Sequence, residues 1–260
     1  MSELKPYPVA RWISTDIRQQ TFHPLRSAIE DVLRARFAPG SEEEIAEQSE
    51  MLEPRVYDEL EVVADQDREL GVEPTFELAG ERHSSHIRAR NLEALQILAE
   101  LSKMEPTDFE RFCALLLNTI GADARHVGST ADGGVDFVAT DVPIGMRYGV
   151  AFRRGAPLVI GQAKRYKAAN LVTETELREF LGGAMLKADE LRRSQERFGL
   201  FTPVVYAFWT TSQLNEKALQ FARKAGIWTL GGLSLAQVSS RLGIAPANVH
   251  IQEGALPGSA

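Results

Sequence analysis

Apolar positions recur at helical spacing through the first hundred residues and give way, after Pro106, to short unbroken apolar runs, so the chain reads as two parts. Trp12, Ile13, Ile17, Leu25, Ile29, Val32 and Leu33 predict a helix over 11–37, ended by Ala38-Pro39-Gly40. Ser41 opens a second helix with Glu44 three residues on as a capping box, and it continues to Gly71. Residues 71–80 read as a connection or a short strand through Thr75, Phe76 and Leu78. A third helix is expected over 84–104 from Ile87, Leu92, Leu95, Leu98 and Leu101, before Pro106 stops it.

Beyond Pro106 the pattern predicts a helix over 107–120 with Phe109, Phe112, Leu116 and Ile120 on one side, closed by Gly121. Strands follow at about 124–128, 135–140 and 158–164, the first two joined by a turn over Ser129–Gly134. The link from Asp141 to Pro157 has room for a hairpin around Tyr148–Phe152. Thr173 caps a helix running to about Arg193, with Glu176 completing a capping box. Val204–Trp209 reads as a buried strand, Asn215–Ala225 as a helix, Ile227–Leu230 as a strand and Leu235–Leu242 as a last helix. The order αβββαβαβ predicts a mixed-sheet α/β domain with helices on its faces. The expected organisation is a helical N-terminal domain over 1–103, an α/β domain over 104–253 and a frayed tail over 254–260.

Composition adds little to this, with 44% hydrophobic and 25% charged residues, as in an ordinary folded protein. No apolar run is long enough to span a membrane, the first residues hold no apolar signal core, and one cysteine, Cys113, excludes an internal disulfide framework. A cytoplasmic protein without a membrane partner is expected. The net charge of −7 is unevenly spread. Residues 1–100 carry 11 Lys+Arg against 21 Asp+Glu, and the remainder 18 against 15. Eleven acidic residues fall between Glu42 and Asp67, which reads as a solvated helix face or, less plainly, as a surface that excludes or mimics nucleic acid.

The chemistry concentrates in Asp132-Gly133-Gly134-Val135-Asp136 and Gln162-Ala163-Lys164-Arg165-Tyr166. Gln162, Lys164 and Tyr166 share one face of a strand by its period of two, and Ala163 points the other way. An ionisable side chain on an apolar strand needs a partner or a metal. Asp136 and Lys164 on neighbouring strands satisfy each other around a divalent cation, with Ala163 offering its backbone carbonyl.

Together with the first-helix glutamate Glu110, the G-V-D and Q-A-K-R-Y segments resemble the Mrr-type branch of the PD-(D/E)XK restriction endonucleases. The resemblance continues through Phe180-Leu181-Gly182-Gly183-Ala184, Trp209-Thr210-Thr211-Ser212 and Ala222–Gly232, covering roughly 103–242 in order. It implies a restriction-endonuclease-like mixed sheet with an αβββαβ core, and cleavage of DNA phosphodiesters with Mg²⁺, for which Mn²⁺ substitutes. Carried over, Asp136 and Glu110 are metal ligands, Lys164 is the signature lysine, and Gln162 stands where most of the superfamily has a carboxylate. No proline precedes Asp136, and the gap to Gln162 is long. Residues 1–100 resemble no family.

The same residues also have plainer readings. Thr107-x-x-Glu110 is a capping-box pattern, Asp132 suits a turn, and Asp136 and Lys164 fit a turn and a snorkelling strand edge. His83 and His86 lie three apart without a third ligand, Cys113 reads as core, and Gly182-Gly183 suggests close packing on the sheet. Candidate DNA contacts are Arg153, Arg154, Arg165, Lys167, Thr211 and Ser212, whereas Arg192, Arg193 and Arg197 read as the cationic end of a helix. The expected protein is a metal-dependent endonuclease of a restriction or antiviral defence system, working as a homodimer. Its N-terminal domain would dimerise, read the target or bind a defence partner. The rival readings are a nuclease for RNA or branched repair DNA, and a catalytically silent binding module.

Overall fold

A computed structural model describes residues 5–36, 41–69, 72–127, 134–143, 157–166 and 170–248. The chain divides into two compact units, Met1–Leu95 and Gln96–Ala260. Among the described residues no helix is long and apolar enough to cross a membrane.

In the first unit, helices α1 (Pro6–Asp16), α2 (Leu25–Arg36) and α3 (Glu42–Glu69) bury Val9, Ile13, Leu25, Ile29, Val56 and Leu60 in a common core. Ser41 and Glu44 form the expected capping box at the start of α3, by reciprocal bonds of 3.1 and 3.2 Å. The single helix expected over 11–37 is two helices. Pro24 forces His23 out of helical geometry, and the two residues form strand β1 (His23–Pro24) beside α2. The helix expected over 84–104 is likewise divided into strand β3 (His86–Ala89) and helix α4 (Leu92–Leu101), with Asn91 between them at a left-handed φ of 53°. β3 pairs antiparallel with β1 and with β2 (Phe76–Ala79), and Ile87 between them is fully buried. Glu77 and Arg88 face each other across the ladder at 2.8 Å, a cross-strand pair that favours sheet over helix here. His86 therefore lies on a strand and His83 on a turn, not on one helical face.

The second unit runs α5 (Pro106–Thr119), β4 (Asp123–His126), β5 (Phe137–Thr140), β6 (Leu158–Lys164), β7 (Leu171–Val172), α6 (Glu174–Ser194), β8 (Val204–Thr210), β9 (Gln213–Leu214), α7 (Glu216–Ala225), β10 (Trp228–Leu230) and α8 (Gly232–Leu242). Five strands form a mixed sheet in the order β10-β8-β6-β5-β4. β4, β5 and β6 are antiparallel neighbours, and β6, β8 and β10 run parallel. One face buries Leu158, Ile160 and Phe208 under Leu177, Phe180 and Ala184 of α6 and Ala218 of α7. On the other face the Phe137 ring lies on Gly161, where an added Cβ would stand 2.0 Å from the ring. Trp209 lies beside it, ring centroids 5.2 Å apart and planes tilted by 43°.

The Thr173 capping box at α6 forms as expected. The one suggested by Thr107-x-x-Glu110 does not. Pro106 starts α5 a residue earlier, Glu105 is the N-cap without a side-chain bond, and the Glu110 carboxylate is turned elsewhere. Gly182 also differs from expectation, because it is exposed and an added Cβ would meet open space rather than the sheet. The hairpin expected at Tyr148–Phe152, the turn residues 129–133 and the tail over 254–260 lie outside the described residues.

Candidate active site

β6 is buried on both faces from Leu158 to Ala163, and its alternation sets Gln162 and Lys164 on the α6 side in line with Leu158 and Ile160. Gln162 is buried and Lys164 is half-buried at the end of the strand. β5 enters antiparallel, with Phe137 opposite Gly161. Asp136 extends that ladder by one residue. Its N–H donates to the Gly161 carbonyl at 2.9 Å, and its own carbonyl accepts the Val127 N–H at 2.9 Å. By register, residue 135 would face Ala163, but the backbone turns away at Gly134. The Asp136 carboxylate fills the gap, with Oδ2 accepting the Ala163 N–H at 2.8 Å.

Gly134 is where the turn depends on glycine. Its φ is +81°, and an added Cβ would stand 2.6 Å from Nε2 of Gln162. The turn and the Gln162 amide are therefore packed directly on one another.

Burial pushes the Asp136 carboxyl up from 3.8 to about 6. The Ala163 N–H works against this, Glu110 raises the value further, and Lys164 and His126 pull it down. Three ionisable groups and one backbone amide thus act on a single carboxylate. Glu110 comes from α5, and its Oε2 lies 2.7 Å from His126 Nε2 at the end of β4. His126 stands opposite Phe137 in the ladder, so the Glu110–His126 pair approaches from the sheet face opposite to that of Gln162 and Lys164. Cys113 is fully buried in α5 as expected of a core residue, and burial, then the nearby Asp136 and Glu110 charges, push its thiol well up.

Beyond Lys164, hydroxyls hold the chain in place. Thr211 Oγ1 accepts the Tyr166 N–H at 2.9 Å and donates to the Tyr166 carbonyl at 3.0 Å, while the Thr211 N–H donates to the Lys164 carbonyl at 3.2 Å. Ser212 donates to the Asn170 carbonyl. Both side chains, named above as candidate DNA contacts, are buried and bonded internally, where they brace the segment after Lys164. The Tyr166 hydroxyl donates to Glu176. Burial opposes ionisation of Glu176, but the bonds from Tyr166 and Thr173 outweigh it, with Lys164 helping, and hold the carboxyl below its usual value. Burial and then Glu176 push the Tyr166 phenol up to about 12.

The structure thus brings Glu110, Asp136, Gln162, Ala163 and Lys164 to one end of β5 and β6. Arg165 follows directly, with its Nε buried and without a hydrogen-bond partner among the described residues. Asp132, Arg153, Arg154 and Lys167 lie outside the described residues. Arg192 and Arg193 occupy the last turn of α6, where Arg192 donates to the Thr202 carbonyl and Arg193 pairs with Asp189, in keeping with the local reading. His126 was not found by sequence reasoning. It is one of three polar residues on a four-residue strand, and its partner lies 16 positions away.

Among the described residues no three His, Cys, Asp or Glu side chains gather into a metal cage. The donor set instead suits a hard cation that binds one or two carboxylates and keeps water and phosphate as its other ligands. A second carboxylate that raises the Asp136 value is a local excess of negative charge, which such a cation would relieve.

The family described as restriction endonuclease, Mrr catalytic type, matches residues 101–238. No curated protein matches the chain significantly. Similar solved structures include the DNA modification-dependent restriction endonuclease AspBHI, at 17% identity and a TM-score of 0.43 over 64% of this chain and 40% of that one. Another is the MspJI restriction endonuclease in complex with a 27-mer oligonucleotide, at 17% identity and 0.42 over 63% and 35%. This chain therefore spans well under half the length of either.

Proposed function

Since the chain belongs to the Mrr catalytic family of restriction endonucleases, whose members generally use divalent metal ions, we propose that it is a Mg²⁺-dependent DNA endonuclease, with Mn²⁺ as a working substitute. The observation that carries this reading is the meeting of Asp136, Glu110 and Lys164 at the ends of β5 and β6, on a carboxylate whose burial is otherwise unfavourable.

Asp136 and Glu110, with the Gln162 amide oxygen and the Ala163 carbonyl, would hold the cation, which when bound would supply acidification of water and neutralisation of phosphate charge. Ala163 is suited to this because N–H and C=O of one strand residue point to the same edge, and its N–H is already on Asp136. Gln162 contributes a neutral oxygen where a carboxylate would bind more tightly. Lys164 acts by a charge-assisted hydrogen bond, orienting the nucleophile and stabilising the charge that develops on the phosphate. Its backbone is held by Thr211, so the ammonium starts from a fixed point. Arg165 adds a cation for a flanking phosphate, as do Arg153, Arg154 and Lys167.

Cleavage of both strands calls for two such sites, which makes a homodimer part of the proposal. The domain over 1–103 is assigned to dimerisation, target reading or a defence partner, and the setting to restriction or antiviral defence. The test is incubation of the protein with methylated and unmethylated plasmid in Mg²⁺, Mn²⁺ or EDTA. Metal-dependent nicking or linearisation is expected; DNA binding with no cleavage in any metal supports the silent-module reading instead.

A further inference from the structure

His126 has no part in the family resemblance, yet two elements are arranged to bring it to Glu110. α5 supplies the carboxylate and β4 supplies the ring on its last residue, with Nε2 and Oε2 2.7 Å apart. Their side chains are only 24% and 19% exposed, so the contact is not a surface pairing. The β4 ladder fixes the His126 backbone on both sides, through His126 opposite Phe137 and through the Val127 N–H on the Asp136 carbonyl at 2.9 Å. Asp136 and the imidazole are therefore held on adjoining strands one residue apart in register.

Glu110 needs such a hold. A glutamate on a helix has several rotamers to lose, and a neighbouring carboxylate repels it. A carboxylate only accepts, so Nε2 is the donor, and among the described residues Oε1 makes no hydrogen bond.

We infer that His126 is a positioning residue for Glu110, its Nε2–H fixing Oε2 so that Oε1 is left for the divalent cation at Asp136. This inference rests on the nuclease reading above. Ligating carboxylates are commonly held by such outer hydrogen bonds, and losing one costs about 10–100-fold in metal affinity or activity.

The test is calorimetric titration of Mn²⁺ into the metal-free full chain, with plasmid cleavage followed in parallel. His126→Ala is expected to weaken Mn²⁺ binding about tenfold or more, and His126→Asn, close in size but too short to reach Oε2, to do the same. His126→Gln places an amide donor near the position of Nε2 and is expected to restore binding to within about threefold. In a Glu110→Gln background His126→Ala should cost nothing further. Wild-type affinity in both the Ala and Asn variants overturns the inference, and so does a Gln variant as weak as Ala. Asp136→Ala separates the two readings. If it abolishes binding while the His126 variants bind normally, only the role of His126 falls; if the wild type binds no Mn²⁺, the metal-dependent site falls with it.

Discussion

Oδ2 of Asp136 accepts the amide hydrogen of Ala163 at 2.8 Å, so a side chain of one strand completes the ladder where its backbone has already turned away. The contact ties the carboxylate to β6 two residues from Gln162's neighbour Gly161 and one from Lys164. It also keeps the carboxylate in a place where ionisation is costly.

That cost gives a pH signature. The folded protein holds the Asp136 proton at about 6, against an ordinary 3.8. The proton is bound more tightly when folded, so this group's favourable contribution is complete below about pH 4 and is lost as pH rises through about 6. Asp136→Asn carries no charge and still offers an acceptor to Ala163. In EDTA it should exceed the wild type in stability by roughly 1–3 kcal/mol above about pH 6, with the gap closing below about pH 4. Denaturant unfolding across that range checks this, and a gap independent of pH contradicts it.

Gly134→Ala should damage both the fold and the site. The residue has φ +81°, and the new methyl meets Nε2 of Gln162 at 2.6 Å. A loss of roughly 1–2 kcal/mol is expected, together with a fall in cleavage rate as Gln162 is displaced. Thermal unfolding and single-turnover cleavage measure the two effects separately.

Thr211 separates a brace from a DNA contact. Its hydroxyl makes both bonds to Tyr166, so Thr211→Val should cost roughly 1–3 kcal/mol of stability, and Thr211→Ser much less. DNA affinity should stay within about twofold in both variants, whereas Arg165→Ala should reduce the salt dependence of binding by about one phosphate contact. Fluorescence anisotropy at several salt concentrations reads this directly.

The first unit has its own buried charge. Glu53 is 3% exposed, with Oε2 3.3 Å from Arg26 Nε and Oε1 accepting from the N–H and hydroxyl of Ser85. Glu53→Ala leaves those donors without an acceptor and should destabilise the unit by roughly 2–4 kcal/mol. The solvent-facing Arg26, which also pairs with Glu50, limits the loss. Hydrogen exchange should show the protection lost from residues 5–36 and 41–69, with β6 unchanged.

How far these features could be read in advance depended on how local their causes are. Leu158–Lys164 is legible because the apolar Leu158–Ile160 opens a strand that Gly161, Gln162, Ala163 and Lys164 continue without a helical period. Thr173 and Glu176 announced α6 because a capping box closes within one turn. His86–Ala89 mimics helix in the sequence because Ile87, Leu92 and Leu95 also fit helical spacing; the pairing with Phe76–Ala79 that decides the matter is a tertiary contact. Pro24 is the one local signal against the apolar spacing on either side of it. Asp136, Gln162 and Lys164 stood out as polar groups on apolar strands. His126 did not, since its meaning lies entirely in Glu110, which only the packing of α5 on β4 brings near.

The most direct test of the central claim compares the wild type with Lys164→Ala on the same plasmid in Mg²⁺ under single-turnover conditions, with DNA binding measured separately in EDTA. The wild type should cleave only with metal, and the variant should lose on the order of 10²–10³-fold in rate while binding DNA about as well. Equal cleavage by the two proteins, or cleavage that survives EDTA, would contradict a metal-dependent nuclease site built on Asp136 and Lys164.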